Sequence, residues 1–215
     1  MATVAALPEN TVLRPVAILP EDVVLRSVEA KYTAAHWEQL PDDGWKHEII
    51  NGELWMSTSP SGFHQWILKK MYSALEQQLE IPGTAIVYFA PMGVFMPGCD
   101  PVQPDLFAVR QEDRAVFRDK HAYGVPALAV EILSPGSMKL DREVKREAYA
   151  KAGVPEYWIV RPAERDMLVH SEPEPTTGQY VHVVRVPPEG ELVSPTLPFR
   201  ARIAGFFAGA PDTTL

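Results

Sequence analysis

The chain has 215 residues, of which 46% are hydrophobic and 22% are charged, and this composition is typical of one ordinary globular domain. Its formal net charge of -8 excludes a protein coated with phosphate-binding lysines, so any contact with nucleic acid must be local. The single cysteine, Cys99, excludes an intrachain disulfide and a multi-cysteine zinc site. We expect a cytoplasmic protein without membrane contact, because no apolar run approaches the roughly 18 residues of a membrane helix.

Prolines mark the two ends of the chain. The sequence contains 21 of them, and many lie in the first 20 residues or after residue 172. Proline has no backbone N–H and disfavours regular structure in the residue before it. We therefore predict an extended N-terminal arm over residues 1–30, a single domain over 31–200 and a C-terminal tail over 201–215.

The first regular elements are a short helix and a hairpin. A short helix capped by Thr33 is predicted over residues 33–40. The turn-like PDDG then leads into KHEIINGELWMS, residues 46–57. Within this segment, Asn51-Gly52 is the dipeptide that best supplies the two positive φ angles of a type I′ turn. Apolar residues flank it on both sides, which predicts a β-hairpin.

The centre of the chain reads as a helix, three strands, a second helix and a further strand. Apolar residues at helical spacing run from Ser61 to about Pro82. The later elements are strands at 85–95, 105–109 and 127–133, a helix at about 138–152, and strands at 156–160, 166–170 and 179–186. The order predicts an α/β fold in which helices flank a mixed β-sheet, with an added N-terminal β-hairpin.

Glu131 raises a question, because it lies inside the otherwise apolar run ALAVEIL, residues 127–133. A lone ionised carboxylate in a strand core costs several kcal/mol, of order 2–7 even for neutral polar groups, unless it is paired, protonated or bound to a metal. Asp105 begins the preceding strand, so antiparallel pairing would make the two acids neighbours. A divalent cation between them would turn their repulsion into attraction.

The following helix carries three polar residues at spacings of three and four. Arg142, Lys145 and Tyr149 are predicted to share one face, where a cation could stabilise charge on a phosphoryl group. The alternative for Lys145 is a solvated position, because charged neighbours surround it in the sequence. The alternative for Arg142 and Tyr149 is a supporting role without direct contact to substrate.

Four blocks together resemble a known family. HEIINGEL, QPDLFAV, VEILSPGS and above all DREVKREAYAKAGVPEYWIV are similar to the Uma-type endonucleases, a bacterial domain family of the PD-(D/E)XK restriction-endonuclease-like superfamily. The resemblance extends over residues 33–186. It implies a nuclease core in which Asp105 and Glu131 are the two acids of the superfamily motif.

The chain departs from the superfamily pattern at two positions. Leu133 replaces the lysine expected two residues after Glu131, and the resemblance implies that Lys145 takes over its role from the helix. Arg161 stands where family members often have aspartate, which puts a local salt bridge in doubt. The metal site itself is expected to consist of Asp105, Glu131 and the carbonyl of Ile132, with Mg²⁺ or Mn²⁺ as the cofactor.

Other residues keep two interpretations. Glu48 is either an additional catalytic residue reaching the site from the hairpin or an outward strand residue. His64 either lines a substrate site or is a core histidine with its hydrogen bonds satisfied. The tryptophans are interpreted as packing or dimer-contact groups rather than base-stacking platforms, because no basic groove is evident beside them: Trp37, Trp45, Trp55, Trp66 and Trp158.

The resulting hypothesis is a Mg²⁺-dependent endonuclease that hydrolyses the phosphodiester bonds of DNA. One alternative is a non-catalytic interaction or assembly module that keeps the nuclease scaffold, which the net charge of -8 favours. Another is a nuclease acting on RNA or on branched nucleic acid. A homodimer is expected, because a proline-containing arm does not fold alone and because two-fold symmetry suits two antiparallel strands.

Overall fold

The computed structural model describes residues 7, 10–19 and 22–210. The strands are β1 Leu13–Leu19, β2 Asp22–Ser27, β3 Lys46–Ile50, β4 Glu53–Ser57, β5 Ala85–Phe89, β6 Gly93–Met96, β7 Cys99–Val102, β8 Leu106–Arg110, β9 Phe117–Arg118, β10 His121–Tyr123, β11 Leu128–Ile132, β12 Glu156–Arg161, β13 Asp166–Glu174, β14 Gln179–Val186, β15 Glu191–Val193 and β16 Arg200–Arg202. The helices are α1 Ala34–Trp37, α2 Gly62–Leu75, α3 Arg146–Ala152 and α4 Ala204–Phe207, with wide π-helical turns at Glu76–Glu80 and Leu140–Lys145 and a 3-10 turn at Gln111–Val116. Within the described ranges no helix has the length and apolar character that crossing a membrane requires.

A six-stranded sheet forms the centre of the molecule, in the order β14-β13-β12-β11-β8-β5. β11 and β12 are parallel, and the other neighbours are antiparallel. Parallel strands need a long crossover, and here the π-helical turn and α3 supply it. The predicted mixed sheet and the order helix-strand-strand-strand-helix-strand are confirmed by α2, β5, β8, β11, α3 and β12.

A second sheet of eight strands, in the order β1-β2-β4-β3-β7-β6-β10-β9, was not predicted as a separate layer. The predicted single strand over residues 85–95 is wrong, because its first half is β5 of the central sheet and its second half is β6 of this one. Pro91 lies between the halves. Proline cannot donate to a strand ladder, so it ends the pairing of β5 and lets the chain change sheets.

The predicted hairpin over residues 46–57 is formed by β3 and β4. Asn51 and Gly52 have φ angles of 51° and 79°, as the turn requires. Among the described residues of the predicted arm, β1 and β2 form a hairpin, and β2 pairs with β4. The local sequence does not predict these strands, because they depend on the distant strand β4. Pairing with β4 buries Val24 fully.

The predicted C-terminal tail also belongs to the core as far as the structure describes it. β16 pairs with β15, and Phe206 and Phe207 of α4 are buried against α2 and the central sheet. The parts of the predicted arm at residues 1–6, 8–9 and 20–21 and the part of the tail at 211–215 lie outside the described residues.

Both faces of the central sheet are buried. The α2 side carries Val130 and Ile132 of β11, and the side with α3 carries Ala129 and Leu133. Successive strand residues point to opposite faces, so Glu131 lies on the same side as Ala129 and Leu133. The register of β11 therefore directs this acid towards the helix that follows it.

Arg161 is paired despite the departure from the family pattern. Its guanidinium donates to both carboxylate oxygens of Asp166, the first residue of β13. Arg185 of β14 donates to the same carboxylate at 2.6 Å, and Asp166 is fully buried. In this chain a local salt bridge is therefore formed by Arg161, Asp166 and Arg185.

Candidate active site

Asp105 and Glu131 meet because β8 and β11 are antiparallel, as predicted. Val130 pairs with Leu106. In an antiparallel pair the following residue of one strand lies beside the preceding residue of the other, so Glu131 lies beside Asp105. The amide of Ile132 donates to Oδ2 of Asp105 at 2.8 Å. This contact fixes the carboxylate of Asp105 against the end of β11.

The partner of Glu131 is Lys145. Oε1 of Glu131 accepts hydrogen bonds from Nζ of Lys145 and from the hydroxyl of Tyr149, each at 2.9 Å. Glu131 has 1% of its surface exposed, and Tyr149 is fully buried. The carboxylate inside the apolar strand is therefore balanced by an ammonium group and by a neutral donor from the following helix.

Lys145 lies at the centre of an acidic cluster. Its Nζ is 3.0 Å from Oε2 of Glu48 and 3.4 Å from Oδ1 of Asp141, in addition to its contact with Glu131. The lysine is 1% exposed, so the solvated position suggested by its charged neighbours is excluded. Glu48 is equally buried and accepts from the backbone amide of Gln103 at 2.7 Å, so it is not an outward strand residue.

Asp105 forms the second half of the cluster. Nε2 of His64 lies 2.8 Å from Oδ2 of Asp105, and Nζ of Lys46 lies 3.5 Å from Oδ1. His64 is held in the first turn of α2, where Ser61 caps the helix by accepting the backbone amide of His64. The histidine thus contacts Asp105 from the start of the buried stripe of α2.

Arg142 does not share the buried face of Lys145 and Tyr149, and this part of the prediction is wrong. Its side chain is exposed, and its carbonyl accepts from the guanidinium of Arg146. The segment Leu140–Lys145 is a wide π-helical turn, in which each residue advances the chain less far around the axis than in an α-helix. Three residues before Lys145, Arg142 therefore points to a different side.

Three charged residues of the site were missed in the sequence. Asp141 lies four residues before Lys145 and Lys46 two residues before Glu48, so the spacing rules for helices and strands were sufficient signals. Asp22 had no such signal. It accepts from the amide of Gly136, and a Cβ at position 136 would lie 2.7 Å from its carboxyl group, so any larger residue there would displace this carboxylate.

The surroundings push the pKa values of the two motif acids apart. Burial works to raise the pKa of Asp105, but His64, Lys46 and the Ile132 amide together lower it. Burial raises the pKa of Glu131 to about 8, and Lys145 offsets that effect only in part. Such a split is typical of sites in which two carboxyl groups have different roles.

Lys145 keeps its proton. Burial works to lower its pKa, but Glu131, Glu48 and Asp141 outweigh this and raise it well above the ordinary value. The same burial raises the pKa of Asp141. The cluster therefore has a fixed positive charge inside it and carboxyl groups that would ionise more readily if another cation approached.

A small cavity of about 50 Å³ lies within the cluster. Among its lining residues are five carboxylates and two lysines, which gives a formal charge of 2 − 5 = -3 when all are ionised: Asp22, Glu48, Asp105, Glu131, Asp141, Lys46 and Lys145. A water molecule occupies roughly 30 Å³ in the liquid, so an ion of that size has room. In the described part of the chain, no three acidic, histidine or cysteine side chains already converge as a finished metal site. The oxygen-rich donors, the charge and the size nevertheless fit a hard divalent cation.

A family model described as "Putative restriction endonuclease", the Uma2 family, matches residues 34–204. The chain belongs to the Uma2 family. The match covers β3 to β16 and thus every residue of the acidic cluster except Asp22. The family resemblance inferred from the sequence is therefore confirmed.

A solved structure gives the same fold. The crystal structure of "a putative nuclease belonging to DUF820" from Anabaena variabilis ATCC 29413 matches 82% of this chain and 98% of its own with a TM-score of 0.69 and 17% sequence identity. A search among curated protein sequences gave no match. Membership of the Uma2 family supports a nuclease function.

The contacts of Glu131 predict opposite effects for two substitutions. Glu131→Gln keeps an oxygen acceptor for Tyr149 and removes a buried charge, while Lys145 retains Glu48 and Asp141. We expect its thermal stability to equal or exceed that of the wild type. Glu131→Ala leaves the Tyr149 hydroxyl without its acceptor, and we expect it to lower the free energy of unfolding by about 1–3 kcal/mol.

Thermal and urea denaturation followed by circular dichroism would measure both variants. A marked loss of stability in Glu131→Gln would show that the ion pair with Lys145 is structural and that the charge of Glu131 is needed for folding.

Proposed function

We infer that the protein is a Mg²⁺- or Mn²⁺-dependent endonuclease that hydrolyses phosphodiester bonds of DNA. The observation that supports this most directly is the buried Lys145 among Glu131, Glu48 and Asp141, next to Asp105 on the adjoining strand. A fold does not need this arrangement, because apolar residues of similar volume often replace buried ion pairs without loss of stability. A role in chemistry at the cavity would account for the arrangement.

The metal would be held by the carboxylates of Asp105 and Glu131 with the carbonyl of Ile132, all of which belong to residues lining the cavity. When bound, a divalent cation there would lower the pKa of a coordinated water and polarise a phosphate. The remaining oxygens of Glu48 and Asp141 would add negative charge around it. Lys145 compensates part of that charge in advance, so that the empty cluster remains foldable.

Two lysines would act on the substrate from different positions. Lys145 has 1% of its side chain exposed and would stabilise negative charge that develops on a phosphate bound in the cavity. The side chain of Lys46 is 22% exposed and lies beside Asp105, so it would hold an adjacent phosphate at the opening. His64 would keep the carboxylate of Asp105 in place by donating from Nε2.

Metal binding and cleavage should depend on Asp105. We expect the wild type to cut supercoiled, linear or single-stranded DNA with Mg²⁺ or Mn²⁺ but not with EDTA, whereas Asp105→Ala should neither cut nor bind metal with wild-type affinity. Gel assays and calorimetric titration would measure this. Asp113→Ala, which changes an exposed acid outside the cluster, is the matched control. Equal metal affinity in the wild type and Asp105→Ala would exclude the site.

Lys145 should contribute to rate and not to metal affinity. We expect Lys145→Ala to lower the cleavage rate by about two to three orders of magnitude, the usual loss when one preorganised charge-stabilising donor is removed. Lys145→Arg should recover only part of the rate, because a planar guanidinium does not fit the place of a compact ammonium. Circular dichroism and Lys145→Met separate this effect from a loss of folding.

Arg146→Ala is the control for the same helix. Arg146 donates to the Arg142 carbonyl and to Gln179, on the side away from the cluster, so its removal should leave the rate nearly unchanged. Cleavage that survives Lys145→Ala but is lost in Arg146→Ala would show that the other face of this helix serves the reaction.

The net charge of -8 favours a second candidate, a non-catalytic interaction or assembly module on the same scaffold. A folded wild type that cuts no DNA, RNA or branched substrate with either metal would support this candidate. Cutting of RNA or branched substrates alone would instead change the substrate of the proposed nuclease.

A homodimer remains part of the proposal, although one of its two grounds no longer applies. Residues 13–19 and 22–27 are strands of the eight-stranded sheet, so they do not need a partner chain in order to be ordered. The remaining ground is the two-fold symmetry of duplex DNA, and it applies only if the enzyme cuts both strands of a duplex. We expect light scattering at micromolar concentration to give twice the mass of one 23.9 kDa chain, and a monomer would refute this.

A further inference from the structure

A groove of about 750 Å³ opens from the acidic cluster. It shares Lys46, Thr58, His64 and Asp105 with the small cavity, so the two spaces adjoin at these side chains. Its other walls come from the segment between α1 and β3, from α2, and from the turns before β6 and β10. A substrate with its phosphate at the cluster would therefore extend into this groove.

The size of the groove selects its occupant. Sites for small molecules measure about 300–1,000 Å³, so this groove can take in a nucleotide unit but not a stacked double helix. A base that remains paired within a duplex cannot enter a concave space of this kind without leaving the stack.

Aromatic side chains line the groove. Trp37 and His121 meet edge to face with ring centroids 5.2 Å apart, and the indole N–H of Trp37 donates to the carbonyl of His47 at 2.9 Å. These contacts hold Trp37 in one orientation. Trp45 is half-buried on the same wall, and Phe89 is exposed on the other side. The interpretation of Trp37 and Trp45 as packing groups alone is thus incomplete, since both border an open space next to the cluster.

Three buried polar atoms of groove residues have no hydrogen-bond partner in the described part of the structure. They are Nδ1 of His64, Oε1 of Gln103 and Nδ1 of His121. His64 and Gln103 are 7% and 6% exposed. A buried polar group without a partner costs about 1–3 kcal/mol, and a ligand that supplies donors and acceptors is one reason for tolerating it.

The charges of the groove disfavour a phosphate chain along its length. Lys46 and Lys120 are opposed by Glu38, Asp42 and Asp105, so the lining is not a cationic track. A nucleobase is neutral, planar and rich in hydrogen-bonding groups, and it suits such a lining better than the backbone does. Only Lys46, at the junction with the cluster, is placed for the phosphate.

We propose that this groove is a nucleobase subsite, which receives an unpaired base next to the scissile phosphate and makes single-stranded DNA the substrate. The inference rests on the proposed nuclease function for the cleavage it describes, but the binding of the base is a separate property of the groove. Stacking on Trp45 and Trp37 provides affinity, and Oε1 of Gln103, which has no partner in the described structure, is the acceptor available to the edge of the base.

Binding without cleavage tests the groove directly. In EDTA, fluorescence anisotropy would compare a labelled single-stranded oligothymidylate, the same strand in a duplex, and a strand with one abasic position. Stacking contributes about 1–3 kcal/mol per base, so Trp45→Ala should weaken single-strand binding about 5- to 150-fold. The salt dependence should be shallow, because few phosphates are contacted.

The matched control is Trp66→Leu. Trp66 lies on α2 outside the groove, where its indole donates to the carbonyl of Ala208 and Lys69 covers its ring. We expect Trp66→Leu to bind single-stranded DNA as the wild type does. The abasic strand should bind the wild type about as weakly as the intact strand binds Trp45→Ala. Trp37→Leu is the second groove variant, so that one misfolded variant does not decide the result.

Several outcomes overturn the inference. Equal affinity for duplex and single strand, equal effects of Trp45→Ala and Trp66→Leu, or no effect of the abasic position would each exclude a base subsite. Tighter binding of an RNA strand of the same length, dependent on Trp45, would exclude DNA as the substrate.

The experiments distinguish a failure of the proposed nuclease function from a failure of the base subsite. A wild type that cuts only duplex DNA keeps that function and refutes the subsite, whereas Trp45-dependent binding of single strands without any metal-dependent cleavage keeps the subsite and refutes the function.

Discussion

The candidate site depends on the ion pairs of the Lys145 ammonium group. It lies within 3.4 Å of three carboxylates that come from β3, from β11 and from its own helix. Each of those acids would be an uncompensated buried charge without it, and breaking a buried pair by removing one partner usually costs about 3–5 kcal/mol. A single lysine thus joins the hairpin, the central sheet and the crossover helix at one point.

The crossover between β11 and β12 places this lysine. The parallel pairing of the two strands requires the chain to return over one face of the sheet, and the π-helical turn with α3 does so on the face to which Glu131 points. The α2 face carries a purely apolar stripe, apart from His64 at its start. The fold therefore separates an apolar core on one side of the sheet from a packed layer with charges embedded in it on the other.

The same arrangement explains why the acids are not equivalent. Asp105 lies at the edge of the cluster, where His64 and Lys46 lower its pKa, whereas Glu131 lies deeper and its pKa is raised. Asp105 lines both the small cavity and the groove, whereas Glu131 lines the cavity alone. Substrate would thus approach from the Asp105 side, and Lys145 would act from behind.

The sequence by itself determined the local elements and the two motif acids. The Asn51-Gly52 turn, the apolar stripe of α2 and the isolated acid of β11 are signals carried by neighbouring residues, and local geometry obeys them. Family similarity then singled out Lys145, which is buried beside Glu131 although its sequence neighbours are those of a solvated helix face.

Only the tertiary structure decided which charged groups are inside and what surrounds them. The burial of Lys145 depends on its ion pair with Glu48, which is far away in the sequence. Asp22 reaches the acidic cluster only because β2 pairs with β4. The wide turn that moves Arg142 away from the site is likewise formed within the packed crossover. Long-range pairing sets these positions because the environment of a charge is determined by residues that meet it in space, and short sequence patterns do not encode those residues.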